Sequence, residues 1–466
     1  MGKNKTEIFE SMPVRSAVRV MIIPAVISQM VTLLYNLADT VFVGMLNDPS
    51  QTAGVSMGAS FLLMLTAISN LFGIGGANTL AQALGRKEDG EVPRISSVSF
   101  WFGLFTAVIF SAFIFILMNP LLVFCGVSEE TYAYSRGYVM WTVVFGGPGT
   151  ILNILLANLI RSEGNSRLAS IGVSAGSVLN IVLDPIFILP AFLNMGVIGA
   201  GIATAISNLV VIMFFLLYII INRKKTLLSL RLSHLSHTRS IIWPVLSKGA
   251  PSAAQYALTV VAVAAITKFV SAYGTTALAG FGITKKLNQV PLYFSIGVAN
   301  GLLPLLAYNY SSGNRDRQKH IFRYGCGIAV CFSGICLIVY ELFASQLSSL
   351  FISNEETISY AASFLRRMVV AMPLTAFNYP MITQFQAMGK VKESLICSII
   401  RKGVIDIPLL FLMDHIAPLY GLMWVQPIVD LVALLVASWF YFRIFRPERL
   451  TGKNGREKLI PNRTGR

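Results

Sequence analysis

Residues 20–46 read VMIIPAVISQMVTLLYNLADTVFVGML, an apolar run interrupted by one carboxylate, Asp39. A bilayer core about 30 Å thick is crossed by roughly 20 helical residues rising 1.5 Å each. The run therefore reads as a transmembrane helix carrying an acid about eight residues from its far end. Five similar runs follow, at about 53–82, 97–118, 134–160, 168–190 and 196–221, and six more at about 243–270, 277–308, 322–343, 360–387, 394–413 and 418–442. The fold class is an all-α membrane protein: twelve transmembrane helices in two six-helix bundles around a central cavity. Composition agrees, because 55% hydrophobic and 12% charged residues over 466 positions, with mean hydropathy +0.68, exceed what a soluble core can hide.

The basic residues alternate with the spans. One side carries Arg15 and Arg19, then Arg86, Lys87 and Arg94, Arg161 and Arg167, the cluster from Arg223 to Arg239, the run from Arg315 to Arg323, Lys390 and Lys392, and the tail from Arg443 to Arg466. The connections LNDPSQT, NPLLVFCGVSEETYA, LPAFLNMG, SAYGTT and SNEETISY on the other side hold no Lys or Arg. By the positive-inside rule both termini are cytoplasmic and the chain is a multi-pass plasma-membrane protein. The net charge, 37 − 21 = +16, then reflects topology and lipid headgroups rather than nucleic-acid binding. The expected organisation is a cytoplasmic segment 1–19, a first bundle 20–222, a connector 223–242, a second bundle 243–443 and a basic tail 444–466.

The two halves resemble each other. AGVSMGAS at 53–60 aligns with ALAGFGIT at 277–284, SEETYAY at 128–134 with NEETISY at 354–360, and RSEGNSR with AMGKVKE; Gly73 pairs with Gly297, Gly199 with Gly421 and Asp184 with Asp406. Six spans per half make these parallel repeats about an axis normal to the membrane.

Acids at bilayer depth cost several kcal/mol and mark candidate sites. Asp39 in span one and Asp184 in span five fall at one depth. Tyr35 and Asn180 each precede an acid by one turn, and Thr204 of span six reaches the same level. Such a set binds a hard monovalent cation such as Na⁺ between ionised acids, or holds a proton on one of them. In the second half Asp406 repeats Asp184. Lys285 and Lys286 in span eight and Arg366 and Arg367 in span ten are read as partners of Asp406 or Asp430 or as cavity-lining cations, with Gln255 and Asn153 as further cavity candidates. Pro24, Pro148, Pro185, Pro251, Pro291, Pro373 and Pro408 lie within spans and let them bend.

Other features carry little chemistry. MGKNKT matches a permissive myristoylation pattern by chance, and no signal peptide is read. Cys125, Cys326, Cys331, Cys336 and Cys397 are not spaced for a metal or disulfides, and His234 and His237 read as solvated. No metal site, no cofactor and, in the absence of HExxH, nucleophile-elbow and phosphate-loop motifs, no enzyme activity is expected.

At LYNLADTVFVG, LNIVLDPIFI, GVIGAGIATAISN, FGITKKL and GLLPLLAYNY the chain resembles the multidrug and toxic compound extrusion (MATE) family, closest to its bacterial drug-efflux subgroup, over about residues 11–445. The resemblance implies export of amphipathic, often cationic organic compounds in exchange for H⁺ or Na⁺, with Asp39, Asn180 and Asp184 serving the cation, joined by Thr204 and Tyr35. Some branches use acids in spans seven and ten, where this chain has Gln255, Arg366, Arg367 and Asn378. The partners expected are small organic molecules and lipid, with no nucleic acid and a monomeric chain. The alternative is a lipid-linked oligosaccharide flippase, which would want a basic cavity; the four cations of spans eight and ten favour it and the first-half acids oppose it.

Overall fold

The structure is a computed structural model that describes residues 3–124 and 127–451; Gly2, Cys125 and the tail from residue 452 lie outside the described residues. Among the described residues the chain is helical and contains no strand. Among the described residues nine helices are singly long and apolar enough to cross a membrane. They are spans one (Val14–Gly44), two (Pro49–Gly85), three (Val92–Ile116), five (Ser166–Ile188), six (Gly196–Ile221), seven (Thr238–Ser271), eight (Thr275–Ser311), nine (Arg315–Ser349) and twelve (Val425–Thr451).

The other three spans are interrupted. Span four runs Glu129–Val139, a π-helical turn Met140–Phe145, then Gly147–Ser162, with a 45° bend. Span ten breaks at Val370, between Glu355–Val369 and Ala371–Ala387, so the repeat reproduces the interruption of span four. In each case a proline, Pro148 or Pro373, sits in the first turn after the break, where its missing N–H removes no helical hydrogen bond. Span eleven breaks where span five does not: Val391–Ile399 passes through a π turn, Ile400–Val404, into Asp406–Ile416. Within that turn Lys402 is extended (φ −142°, ψ 103°) and Gly403 has φ 126°, a conformation that favours glycine.

The boundaries set at residues 19/20, 242/243 and 443/444 fall inside helices that start at Val14 and Thr238 and end at Thr451. Hydropathy marks the apolar stretch only, whereas Lys and Arg stems let a helix continue into the headgroup layer.

The distribution of the core shows how the two lobes meet. One cluster unites the basic-side ends of both lobes, from Met21, Leu80 and Leu156 in the first to Leu302, Phe322 and Phe385 in the second. At the opposite ends the cores are separate, around Leu65 and Val143 or Tyr138 and Ile188 in the first lobe and Phe281 and Leu422 or Leu365 and Tyr340 in the second. The lobes are thus joined at the basic side and individually packed at the other. In lipid the joint depends on close backbone approach rather than hydrophobic burial. A Cβ on Gly249 of span seven would lie 1.9 Å from the Leu71 carbonyl oxygen of span two, and one on Gly75 would lie 2.0 Å from that of Val245.

Polar contacts reinforce this joint. Gln82 donates to the Ala387 carbonyl at 2.8 Å and accepts from Lys248 Nζ at 2.6 Å, and Asn78 donates to the Gln386 carbonyl. The N-terminal segment, for which no helix was expected, contains one, Lys3–Glu10, which meets the second lobe. There Phe9 stacks on Tyr308 at 4.8 Å, Tyr308 donates to Glu10 at 2.6 Å, and Arg317 donates to the carbonyls of Phe9 at 2.8 Å and Met12 at 2.6 Å.

Candidate functional site

Asp39 and Asp184 sit little more than one turn before the ends of their helices, at Gly44 and Ile188, on the side where the lobes have separate cores. Asp184 is fully buried and Asp39 half-buried. Each has a buried Oδ1 that no hydrogen-bond donor reaches. An unsatisfied buried carboxylate oxygen is costly, which is why such atoms mark a place where something else binds or where strain is held for use.

The two carboxylates lie within Coulombic reach of each other, and both are within reach of Tyr35. With its amide turned so that each atom faces a complementary partner, Asn180 donates to Asp184 Oδ2 at 3.0 Å and accepts from the Thr204 backbone N–H at 3.1 Å. The Thr204 hydroxyl stands 3.3 Å from the same amide. The five residues singled out in the first half therefore lie in one cluster. Among the described residues no Lys or Arg forms an ion pair with either acid, and no group of three or more His, Cys, Asp or Glu forms a metal site.

Two neighbours of this cluster were not expected. Tyr138, buried against Gly58, lies within Coulombic reach of both carboxylates from span four. A tyrosine in an apolar run signals nothing by itself. Lys286 of span eight lies within Coulombic reach of Asp39 across the lobes. Counting residues along a span gives depth but not which lobe surface a side chain faces.

The second lobe is wired differently, and the expected partnerships of its cations are corrected here. Asp430 is fully buried and paired with Arg401, whose Nε lies 2.9 Å from Oδ1; Thr375, Asn378 and Gln426 also donate to its side chain. Asp406 accepts from the Gly403 N–H at 3.0 Å and faces Lys402. Lys285, Lys286, Arg366 and Arg367 are therefore not the partners of Asp406 and Asp430. Lys285 lies over the Phe281 ring, Arg366 donates to the Glu341 carbonyl on the exposed surface, and Arg367 donates to the Ser363 carbonyl and covers Tyr420. The break in span eleven delivers Arg401 and Lys402 to the acids first. The signal was present in the sequence, as two adjacent cations in an apolar run followed by Gly403.

Gln255 donates to the Tyr379 hydroxyl at 3.1 Å, and the Tyr379 ring is covered by Arg401 at 4.1 Å, so Gln255 belongs to this second network. Asn153 donates to Asn208 at 2.8 Å and ties span four to span six within the first lobe. Cys326, Cys336 and Cys397 are buried free thiols and Cys331 is exposed. His234 lies in a short 3₁₀ helix, Leu232–His237, and the His237 side chain is outside the described residues.

The MatE family model matches residues 24–186 and 251–412, once in each lobe. The multidrug export protein MepA of Staphylococcus saprophyticus subsp. saprophyticus is 28% identical over 429 residues, covering 92% of this chain and 93% of that protein. Its namesake from Staphylococcus aureus is 27% identical over 444 residues, covering 95% and 96%. A solved multidrug resistance MATE family transporter in an outward-facing conformation, 24% identical, superposes with a TM-score of 0.88 over 96% of this chain and 99% of its own. With both lobes matched by one family model over most of their length, the chain belongs to the MatE family.

Proposed function

We propose that this chain is a plasma-membrane antiporter that exports amphipathic, cationic organic compounds in exchange for H⁺ or Na⁺ by alternating access. The observation that carries the reading is the Asp39–Asp184 pair: two carboxylates from different spans, in Coulombic reach of each other, each with an unsatisfied buried oxygen and neither in an ion pair among the described residues. A cation there removes repulsion and satisfies both oxygens at once. Asn180 donates the hydrogen bond that holds Asp184 in place, and Thr204 and Tyr35 supply further neutral oxygens beside the acids. Export of drugs by the staphylococcal relatives supports the substrate class.

The side where the lobes have separate cores is the extracellular side in this reading, and both termini are cytoplasmic, because the basic connections lie at the joined ends. A cation arriving from outside binds the first lobe and weakens the hold on the drug; by linkage the drug weakens the cation's hold by the same factor. Each tenfold of coupling corresponds to about 1.4 kcal/mol, enough to shift a poised equilibrium between two states. The flippase alternative loses part of its support, since Arg366 bonds the Glu341 carbonyl at the surface, Arg367 covers Tyr420 and Arg401 is paired with Asp430, which leaves Lys285 and Lys286 of the four cations that favoured it.

The test is ethidium efflux from loaded cells expressing the full chain. Efflux that collapses when the proton and Na⁺ gradients are dissipated in turn identifies the driving ion. Efflux indifferent to both gradients would remove the exchange mechanism.

A further inference from the structure

Spans one and eight run antiparallel in contact across the lobes. Their lower halves meet where the Gly301 backbone lies against Ile22 and that of Gly297 against Val26, and further up Asn36 donates to the Tyr293 hydroxyl at 3.2 Å. Asp39 lies one turn beyond Asn36 on span one, and Lys286 lies two turns beyond Tyr293 on span eight, in the same direction and on the same faces. The two side chains therefore flank the same stretch of the seam, one from each lobe.

The surroundings of Asp39 sharpen this. Its own helix brings Tyr35, span four brings Tyr138, span five brings Asp184, and span eight brings Lys286 and, next to Tyr35, Tyr293. Lys286 is the single cation among the described residues that acts on Asp39. Lys286 in turn has no carboxylate at ion-pair distance and no hydrogen bond among the described residues. One lobe thus presents an ammonium without a partner to a carboxylate oxygen without a donor on the other.

We propose that Lys286 is a tethered counter-charge for Asp39, which the transported cation displaces when it binds. The inference rests on reading Asp39 as part of the coupling site. Without a bound cation, attraction between Lys286 and Asp39 draws the two lobes together at this level. With H⁺ or Na⁺ at Asp39 that attraction is lost, and the second lobe is released from span one. Ion occupancy is thereby converted into a force between lobes rather than a rearrangement confined to the first. Lys286 is a positioning residue in this scheme, since it acts through Asp39.

The experiment uses the purified full chain in detergent and ethidium binding followed by fluorescence anisotropy. Bound ethidium is displaced by Na⁺ at fixed pH, and separately by acid at fixed Na⁺. Lys286→Met removes the competitor, so the cation concentration that halves ethidium binding should fall about tenfold, the scale of one neighbouring charge. Lys286→Arg, which keeps the charge, should restore the wild-type value, and Lys286→Gln repeats the charge removal should the Met variant fold poorly. An unchanged half-point in both neutral variants, or equal shifts in the Met and Arg variants, overturns the proposal. Asp39→Asn separates the two levels: displacement lost in Asp39→Asn but unchanged in Lys286→Met rejects the counter-charge alone, whereas displacement that survives Asp39→Asn rejects the coupling site itself.

Discussion

Asp184 and Asp406 occupy equivalent positions in the two repeats, yet their surroundings have diverged in a consistent direction. Asn180, one turn before Asp184, aligns with Lys402, one turn before Asp406, so a neutral amide in the first lobe becomes an ammonium in the second. Asn208, which ties span six to Asn153 and Thr150, aligns with Asp430, which ties span twelve to Thr375 and Asn378 and adds the ion pair to Arg401. The backbone follows the charges: span five is continuous through Asp184, while span eleven opens at Lys402 and Gly403 so that the Gly403 N–H can bond Asp406. The same architecture thus holds a carboxylate with an unsatisfied oxygen in one lobe and a compensated network in the other. Two acids outside any ion pair among the described residues are suited to exchanging a cation, and two acids with Arg401 and Lys402 beside them are suited to holding a shape.

The contrast is most strongly broken by removing one member of the Arg401–Asp430 pair. Asp430→Asn or Arg401→Met leaves an uncompensated charge or an unsatisfied buried network and should cost about 3–5 kcal/mol, read as a large loss of thermal stability in detergent. Asp184→Asn, which strands no cation, should change stability by less than about 1 kcal/mol. Equal effects in the two lobes would erase the distinction.

A smaller effect on folding, with a large one on transport, is expected when the lobes are made alike. Asn180→Lys places in the first lobe the residue that the second already has. The new ammonium should occupy Asp184, leave the chain folded and lower ethidium export more than tenfold. Retained export would show that Asp184 tolerates a permanent counter-ion.

The smallest effect concerns the turn between spans one and two, which has no equivalent charge in the second half, where Gly274 occupies the capping position. Asp48 caps span two by accepting from the Ser50 N–H at 2.9 Å and from the Gln51 side chain at 3.0 Å, and these bonds hold its carboxyl below the usual range. A group lowered on folding stabilises above its unfolded value and loses that contribution as pH falls through the folded one. Asp48→Ala should therefore lower the melting temperature slightly at neutral pH, with the difference from the wild type vanishing in acid.

Twelve spans were legible because a bilayer imposes length and apolarity on every crossing, and because the alternation of Lys and Arg counts crossings by a second route. Asp39 and Asp184 were legible for a related reason, as charge is rare at that depth. What could not be read were relations across helices. Lys286 and Arg366 were read alike, as partners of Asp406 or Asp430 or as cavity-lining cations, yet one lies within Coulombic reach of Asp39 while the other bonds the Glu341 carbonyl at the surface. Arg401 and Lys402 were passed over because hydropathy averaged them into an apolar window, and the helix break that turns them toward Asp430 and Asp406 depends on tertiary partners. The N-terminal helix was missed because KNKTEIFE is too short and polar to signal a helix; its docking rests on Phe9 finding Tyr308 across the lobes.

The most direct test compares equivalent acids in one assay. Full-length chain in proteoliposomes with an imposed pH or Na⁺ gradient is followed for ethidium counterflow in the wild type, Asp39→Asn, Asp184→Asn and Asp406→Asn. Both first-lobe variants should lose gradient-driven counterflow while reconstituting at wild-type levels, and Asp406→Asn should retain a substantial part of it. Undiminished counterflow in Asp39→Asn and Asp184→Asn, or its abolition in Asp406→Asn alone, would contradict the assignment of cation exchange to the first lobe.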